Sequence, residues 1–194
     1  MNKPAYILEF DQQSAERAGG SSFDGGAHIG LIVEAKFKTA NSGASGIELT
    51  IESESGNKFN YLTMYYKKKD GTQIKSGANC INALMYFTGI KGITAKQEGN
   101  AYICPELIGK RVGVFLQKRL YSKHDMSDGF DFSIRAPFSP DTMQTVRESI
   151  KGSDAVTISS WIDSYKDIDE RGKSTANQSP SNGYPSDFDD DIAF

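Results

Sequence analysis

Two stretches of this chain, 27–69 and 111–136, alternate apolar and polar residues, and the stretch between them changes period. That restricts the fold to one built on half-buried strands interrupted by a helix. From Ala27 to Lys38, Ile29, Leu31, Val33, Ala35 and Phe37 fall on one side, and His28, Glu34, Lys36 and Lys38 on the other. Asn41–Gly46 reads as a turn, after which Ile47, Leu49 and Ile51 alternate with Glu48, Thr50 and Glu52. A third strand, Lys58 to Lys69, carries Phe59, Tyr61, Tyr65 and Tyr66 and stops at Asp70-Gly71, a turn signal. Over 78–88, Cys80, Ala83, Leu84 and Phe87 recur at helical spacing, with Gly89 as a stop. Tyr102–Pro105 reads as a short extended piece or a loop beside a helix. Arg111–Tyr121 and Gly129–Ala136 alternate again, with Val112, Val114 and Leu116, then Phe130, Phe132 and Ile134, on the apolar sides.

Three strands, a helix and two strands give a mainly β fold class. The order is that of an OB-fold-like five-stranded barrel, partly open, whose face and loops take oligonucleotides. A sandwich with an inserted helix has the same order. Beyond Pro137, Ser139-Pro140-Asp141 predicts a helix start with Met143, Val146 and Ile150 on one face. A second helix is expected over about Ser159–Glu170, with Trp161, Ile162, Tyr165 and Ile168 as its apolar side; these segments either pack on the barrel or mediate self-association. The chain thus divides into an N-terminal extension (1–24, with the apolar run Tyr6–Phe10 as an outlying strand), a domain (25–170), a Ser/Asn/Gly/Pro-rich linker (171–186) and a tip (187–194).

The net charge of −3 conceals a split. Residues 25–137 hold fifteen Lys/Arg against ten Asp/Glu, whereas 167–194 hold two against seven. A basic body with an acidic tail suits a binder of polyanions that carries its own competitor. Cys80 and Cys104, in different segments, are expected to be free thiols in a reducing cytoplasm. With no apolar run of spanning length and no leader pattern, a soluble intracellular protein is expected, with no membrane partner.

The tail ends Asp187, Phe188, Asp189, Asp190, Asp191, Ile192, Ala193, Phe194. Such an octet cannot fold alone, but it can seat a ring in a pocket and a carboxylate on a basic side chain of a partner. It resembles the C-terminal tip of bacterial single-stranded DNA-binding proteins (SSB), an Asp-Phe-Asp-Asp-Asp-Ile-Pro-Phe pattern, with Ala193 in place of the Pro. Over 27–137 the layout is similar to divergent phage-encoded single-strand binders with an OB-like body and an SSB-type tail. The resemblance implies that Asp187, Phe188, Asp189, Asp190, Asp191, Ile192 and Phe194 dock onto replication, recombination or repair proteins. It also implies that the body binds single-stranded DNA, in the host cytoplasm if the protein is phage-encoded.

Single strands need cations for phosphates and flat rings for bases. Odd positions of the third strand supply both, Tyr61 and Tyr65 followed by Lys67 and Lys69; Arg111, Phe115 and Arg119 repeat the device, and Lys36 and Lys38 add charge. For any one ring, a place in the core is the competing reading. No catalytic residue, metal or cofactor is expected. His28 and His124 lack a zinc-protease spacing, Gly172-Lys173-Ser174 lacks the rest of a phosphate loop, and Asp125, Asp128 and Asp131 are spaced like turn acids. The expected function is therefore sequence-independent single-strand binding without catalysis. An annealing or recombination mediator, a metal-dependent nuclease or its subunit, and a protein-binding module are the alternatives. If the tail competes for the basic face, deleting Asp187–Phe194 tightens binding of single strands at low salt, measurable by gel shift against the full chain.

Overall fold

A computed structural model describes residues 24–171. It is mainly β, with eight strands joined in one open sheet. The strands are β1 (Gly26–Thr39), β2 (Ser45–Ser53), β3 (Lys58–Lys67), β4 (Lys96–Glu98), β5 (Ala101–Ile103), β6 (Arg111–Ser122), β7 (Asp128–Phe138) and β8 (Ile168–Asp169). The helices are α1 (Lys75–Thr88), α2 (Val146–Lys151) and α3 (Thr157–Ser164). β1 is shared: its stretch from Gly30 to Thr39 pairs with β2, its stretch from Gly26 to Leu31 with β6, and Lys36 with Ile103 of β5. β3 adds to β2, β7 to β6, and β4 to β5, all antiparallel; β8 alone runs parallel, beside β6. The five long strands thus lie in the order β3-β2-β1-β6-β7. Among the described residues no ladder joins β3 to β7, although Phe59 and Phe132 meet edge-on across that gap at 5.2 Å.

The strand registers shift at four places, at Tyr66 of β3, at Arg135 of β7 and at two bulges that matter most here, each of which inserts a residue and reverses which face follows. In β1 the register shifts between Ile32 and Glu34, so Val33 is the extra residue. Ile32, Ala35 and Phe37 face the core, and Leu31, expected beside them, is 48% exposed. In β3 the shift falls between Phe59 and Leu62, where Asn60 and Tyr61 oppose Thr50 alone. Phe59 therefore joins Leu62 and Met64 inside instead of sharing the outer face with Tyr61. Both bulges lie at the level of Thr50 on the unbroken strand between them.

Ile47, Leu49 and Ile51 of β2, Val112, Val114 and Leu116 of β6, and Ile134 of β7 complete this core. Helix α1 closes one side of it with Cys80, Ile81 and Leu84, and stops at Gly89, which takes the left-handed conformation. Cys80 and Cys104 are free and buried, and burial pushes both thiols up to about 11.

A smaller second core lies on the opposite face of the sheet. Phe115, Phe138 and Ile158 are fully buried there against Ala27, Ile29, Met143, Trp161 and Tyr165. Gly113 makes room for it, since a Cβ there would sit 2.3 Å from the Phe138 ring. The C-terminal segments pack on the sheet, as one of the two expectations had it, but their details differ. The helix expected after Pro140 starts only at Val146, and Ile150 is exposed. The second ends at Ser164, and Ile168 enters a strand instead. The expected N-terminal strand at 6–10, the linker from 172 and the tip at 187–194 lie outside the described residues.

Glu148 joins the two helices. Its carboxylate accepts from the Thr145 amide and hydroxyl (2.8 Å each), the Val156 amide (3.0 Å), and the Thr157 amide and hydroxyl (2.8 and 2.7 Å). It completes a capping box on α2 and satisfies free amides at the start of α3. Burial alone would raise its pKa, but these hydrogen bonds outweigh burial and hold it at about 2. Because the folded value lies below the ordinary one of 4.5, its contribution is complete above that pH and is lost as pH falls toward about 2. Glu148→Gln is expected to lower stability by about 2 kcal/mol at pH 7 and to flatten the acid limb, as read by urea unfolding at pH 7 and pH 3.

Candidate nucleic-acid interface

The outer face of the sheet has two halves. Helix α3 covers one, over β6 and the start of β1; the other, over the end of β1, β2 and β3, carries a polar lattice fixed by strand register. One cross-strand row reads Tyr65, Gly46, Lys38. The next reads Thr63, Glu48, Lys36, Ile103, Lys96, and so reaches the β4–β5 hairpin. Five strands at about 4.8 Å each make that row about 19 Å long.

Glu48 lies at its centre, only 4% exposed. Lys36 Nζ is 3.0 Å from one carboxylate oxygen and Lys38 Nζ 3.2 Å from the other, and the Thr63 hydroxyl donates at 3.4 Å. Burial would push Glu48 up, but the two ammonium groups hold it below its ordinary value, and its hydrogen bond raises Lys36 above its own. Sequence reasoning missed Glu48 as a partner. The available signal was two lysines at i and i+2 facing a carboxylate in the next strand.

The two tyrosines arrive differently. The Tyr65 ring lies over Gly46, where a Cβ would come within 2.9 Å of its Cδ1. Tyr61 stands at the β3 bulge with φ 61°, 75% exposed. A non-glycine residue in that region costs roughly 1–2 kcal/mol, and such strain gathers where a side chain must be aimed. Lys67 ends β3, opposite Ser45 and beyond a further register shift at Tyr66, and Lys69 follows it; both are exposed and, among the described residues, without an ion pair.

The other expected contacts separate from this group. Phe115 does face away from Val112, Val114 and Leu116, but Trp161 and Tyr165 cover it edge-on at 5.4 and 5.9 Å, so no base reaches it. Arg111 shares the outer face at its far end, in the row of Leu31 and Glu52, and bonds Glu54 (2.8 Å) and Asp141 (2.6 Å). Arg119 pairs with Asp131, directly opposite on β7, and with Glu170 at 3.5 Å. The strand pattern placed these cations on faces but gave no account of the acids facing them. Of the three turn acids, Asp125 caps Ser127, Asp128 binds Arg171 and Asp131 binds Arg119. Among the described residues no three His, Cys, Asp or Glu side chains gather to hold a metal, and no helix is long and apolar enough to cross a membrane.

The chain matches no protein-family model and no curated protein sequence. Among the described residues the arrangement offers two rings and two lysines on one face of the sheet and two more exposed lysines at the end of β3, which suits an extended polyanion with flat groups. At position 61 the usual strand ranking is expected to invert. Tyr61→Gly melts above Tyr61→Val by the equivalent of about 1–2 kcal/mol in thermal denaturation, although Val ordinarily suits a strand better.

Proposed function

We propose that this protein is a non-catalytic, sequence-independent single-strand binder, similar to phage-type SSB proteins, that grips DNA on the open face of β1–β3. The observation that carries the reading is the juxtaposition of Tyr61 and Tyr65 with Lys36 and Lys38 on one face of β1–β3, with Lys67 and Lys69 exposed at the end of β3. Bases stack on the two rings while phosphates follow the lysines. The strand order β3-β2-β1-β6-β7, with α1 packed beside β3 and β7, supports reading the domain as an OB-like barrel left open between its outermost strands. The acidic octet 187–194 supports a second role in this reading, recruitment of replication, recombination or repair proteins in the cytoplasm.

Arg111, Arg119 and Phe115 are left out of the binding set, because acids occupy the first two and helix α3 covers the third. Four lysines less the one carboxylate that touches two of them leave about three effective contacts, so the expected slope of log K against log salt is near −2 for single strands, from roughly −0.7 per contact. Tyr61→Ala and Tyr65→Ala each weaken binding by about 1–3 kcal/mol, whereas Arg111→Ala leaves the slope unchanged. Fluorescence anisotropy with a labelled oligothymidylate at several salt concentrations measures all of these. Absence of binding at every salt concentration would sink the reading in favour of a protein-binding module, and shortening of the oligonucleotide with Mg²⁺ would indicate a nuclease.

A further inference from the structure

On the basis of the single-strand reading, we infer that Glu48 is an affinity-setting residue that deliberately weakens the grip of Lys36 and Lys38 on phosphate. Its carboxylate touches both ammonium groups, at 3.0 and 3.2 Å, from the centre of the proposed interface. The trio therefore presents one net positive charge where two lysines alone would present two. Each ammonium also spends a donor on Glu48 that a phosphate would otherwise take. Lys67 and Lys69, with no ion pair among the described residues, keep their full charge. The interface is thus graded, full strength at the end of β3 and halved in the middle of β2.

Packing does not explain the charge. A buried ion pair seldom holds a fold better than uncharged side chains of similar size. On β2 and β3 the neighbouring outer-face positions manage with a hydroxyl or no side chain, Thr50 and Thr63 on either side and Gly46 beyond, whereas Glu34 of β1, opposite Thr50, keeps its carboxylate exposed. Glu48 is held ionised by the lysines themselves, so the attenuation does not vary across physiological pH.

Removing this charge gives an unusual expectation, a gain of binding from loss of a buried ion-pair partner. Glu48→Gln, close in shape, is expected to bind oligothymidylate about tenfold tighter at low salt. Its salt slope should steepen by about 0.7, the equivalent of one added phosphate contact. Glu48→Thr, suited to a strand, is expected to shift the same way and covers the case in which Gln folds poorly. The double variant Lys36→Gln/Glu48→Gln restores the net charge and is expected to return to within about twofold of the parent. Anisotropy titrations paired with thermal melts give each answer. Folded Glu48 variants that bind no tighter than a parent that does bind overturn this inference and leave the single-strand reading standing. If neither the parent nor the Glu48 variants bind, both fall.

Discussion

A straight strand held between two bulged ones sets the shape of this protein. β2 runs without interruption, while β1 and β3 each insert an extra residue at the level of Thr50. Extra residues on both flanks sharpen the local twist and bend the sheet around β2, which lets one side of it close over a core. The same two insertions decide what faces water. They turn Ile32 and Phe59 inward, leave Leu31 outside, and stand Tyr61 on the outer surface in a backbone conformation that few side chains tolerate. Core and candidate interface are therefore two results of one irregularity, and neither moves without the other.

The outer face is divided by what covers it. Over β6 the C-terminal helices supply the cover, held in place by the five hydrogen bonds that Glu148 accepts and by Arg135 stacked 4.1 Å over the Trp161 ring. Over β2 no helix of the described residues arrives, and the positions there are filled by Glu48, Thr50 and the rings and lysines of the flanking strands. Most of the arginines in the body are matched to acids: Arg111 to Glu54 and Asp141, Arg119 to Asp131 and Glu170. The net charge of a segment therefore overstates its capacity for anions, because several of its cations are already matched to acids.

Much of the strand–helix order was legible from periodicity, as were the stop of α1 at Gly89 and the opposed faces of β6. The burial of Phe59 was not, because a bulge has no dependable signature in one sequence and a single inserted residue exchanges the faces. The cover over Phe115 was equally hidden: alternation tells which side of a strand a ring occupies, not which distant element will lie on that side. The acids that neutralise Arg111 and Arg119 come from β7 and from loops up to 57 residues away, beyond any local pattern. Tyr61, Tyr65, Lys36 and Lys38 lie on one face because β1 and β3 flank β2, a pairing that the short turns between these strands already implied.

Gly46 has no Cβ, and the Tyr65 ring lies in the space that atom would fill. The height of the ring above the sheet is therefore written in the neighbouring strand rather than in its own. A Cβ there would also come within 2.9 Å of the Met64 carbonyl oxygen. A lineage that keeps the ring therefore keeps the glycine with it, whereas one that loses the ring still meets backbone at the same place.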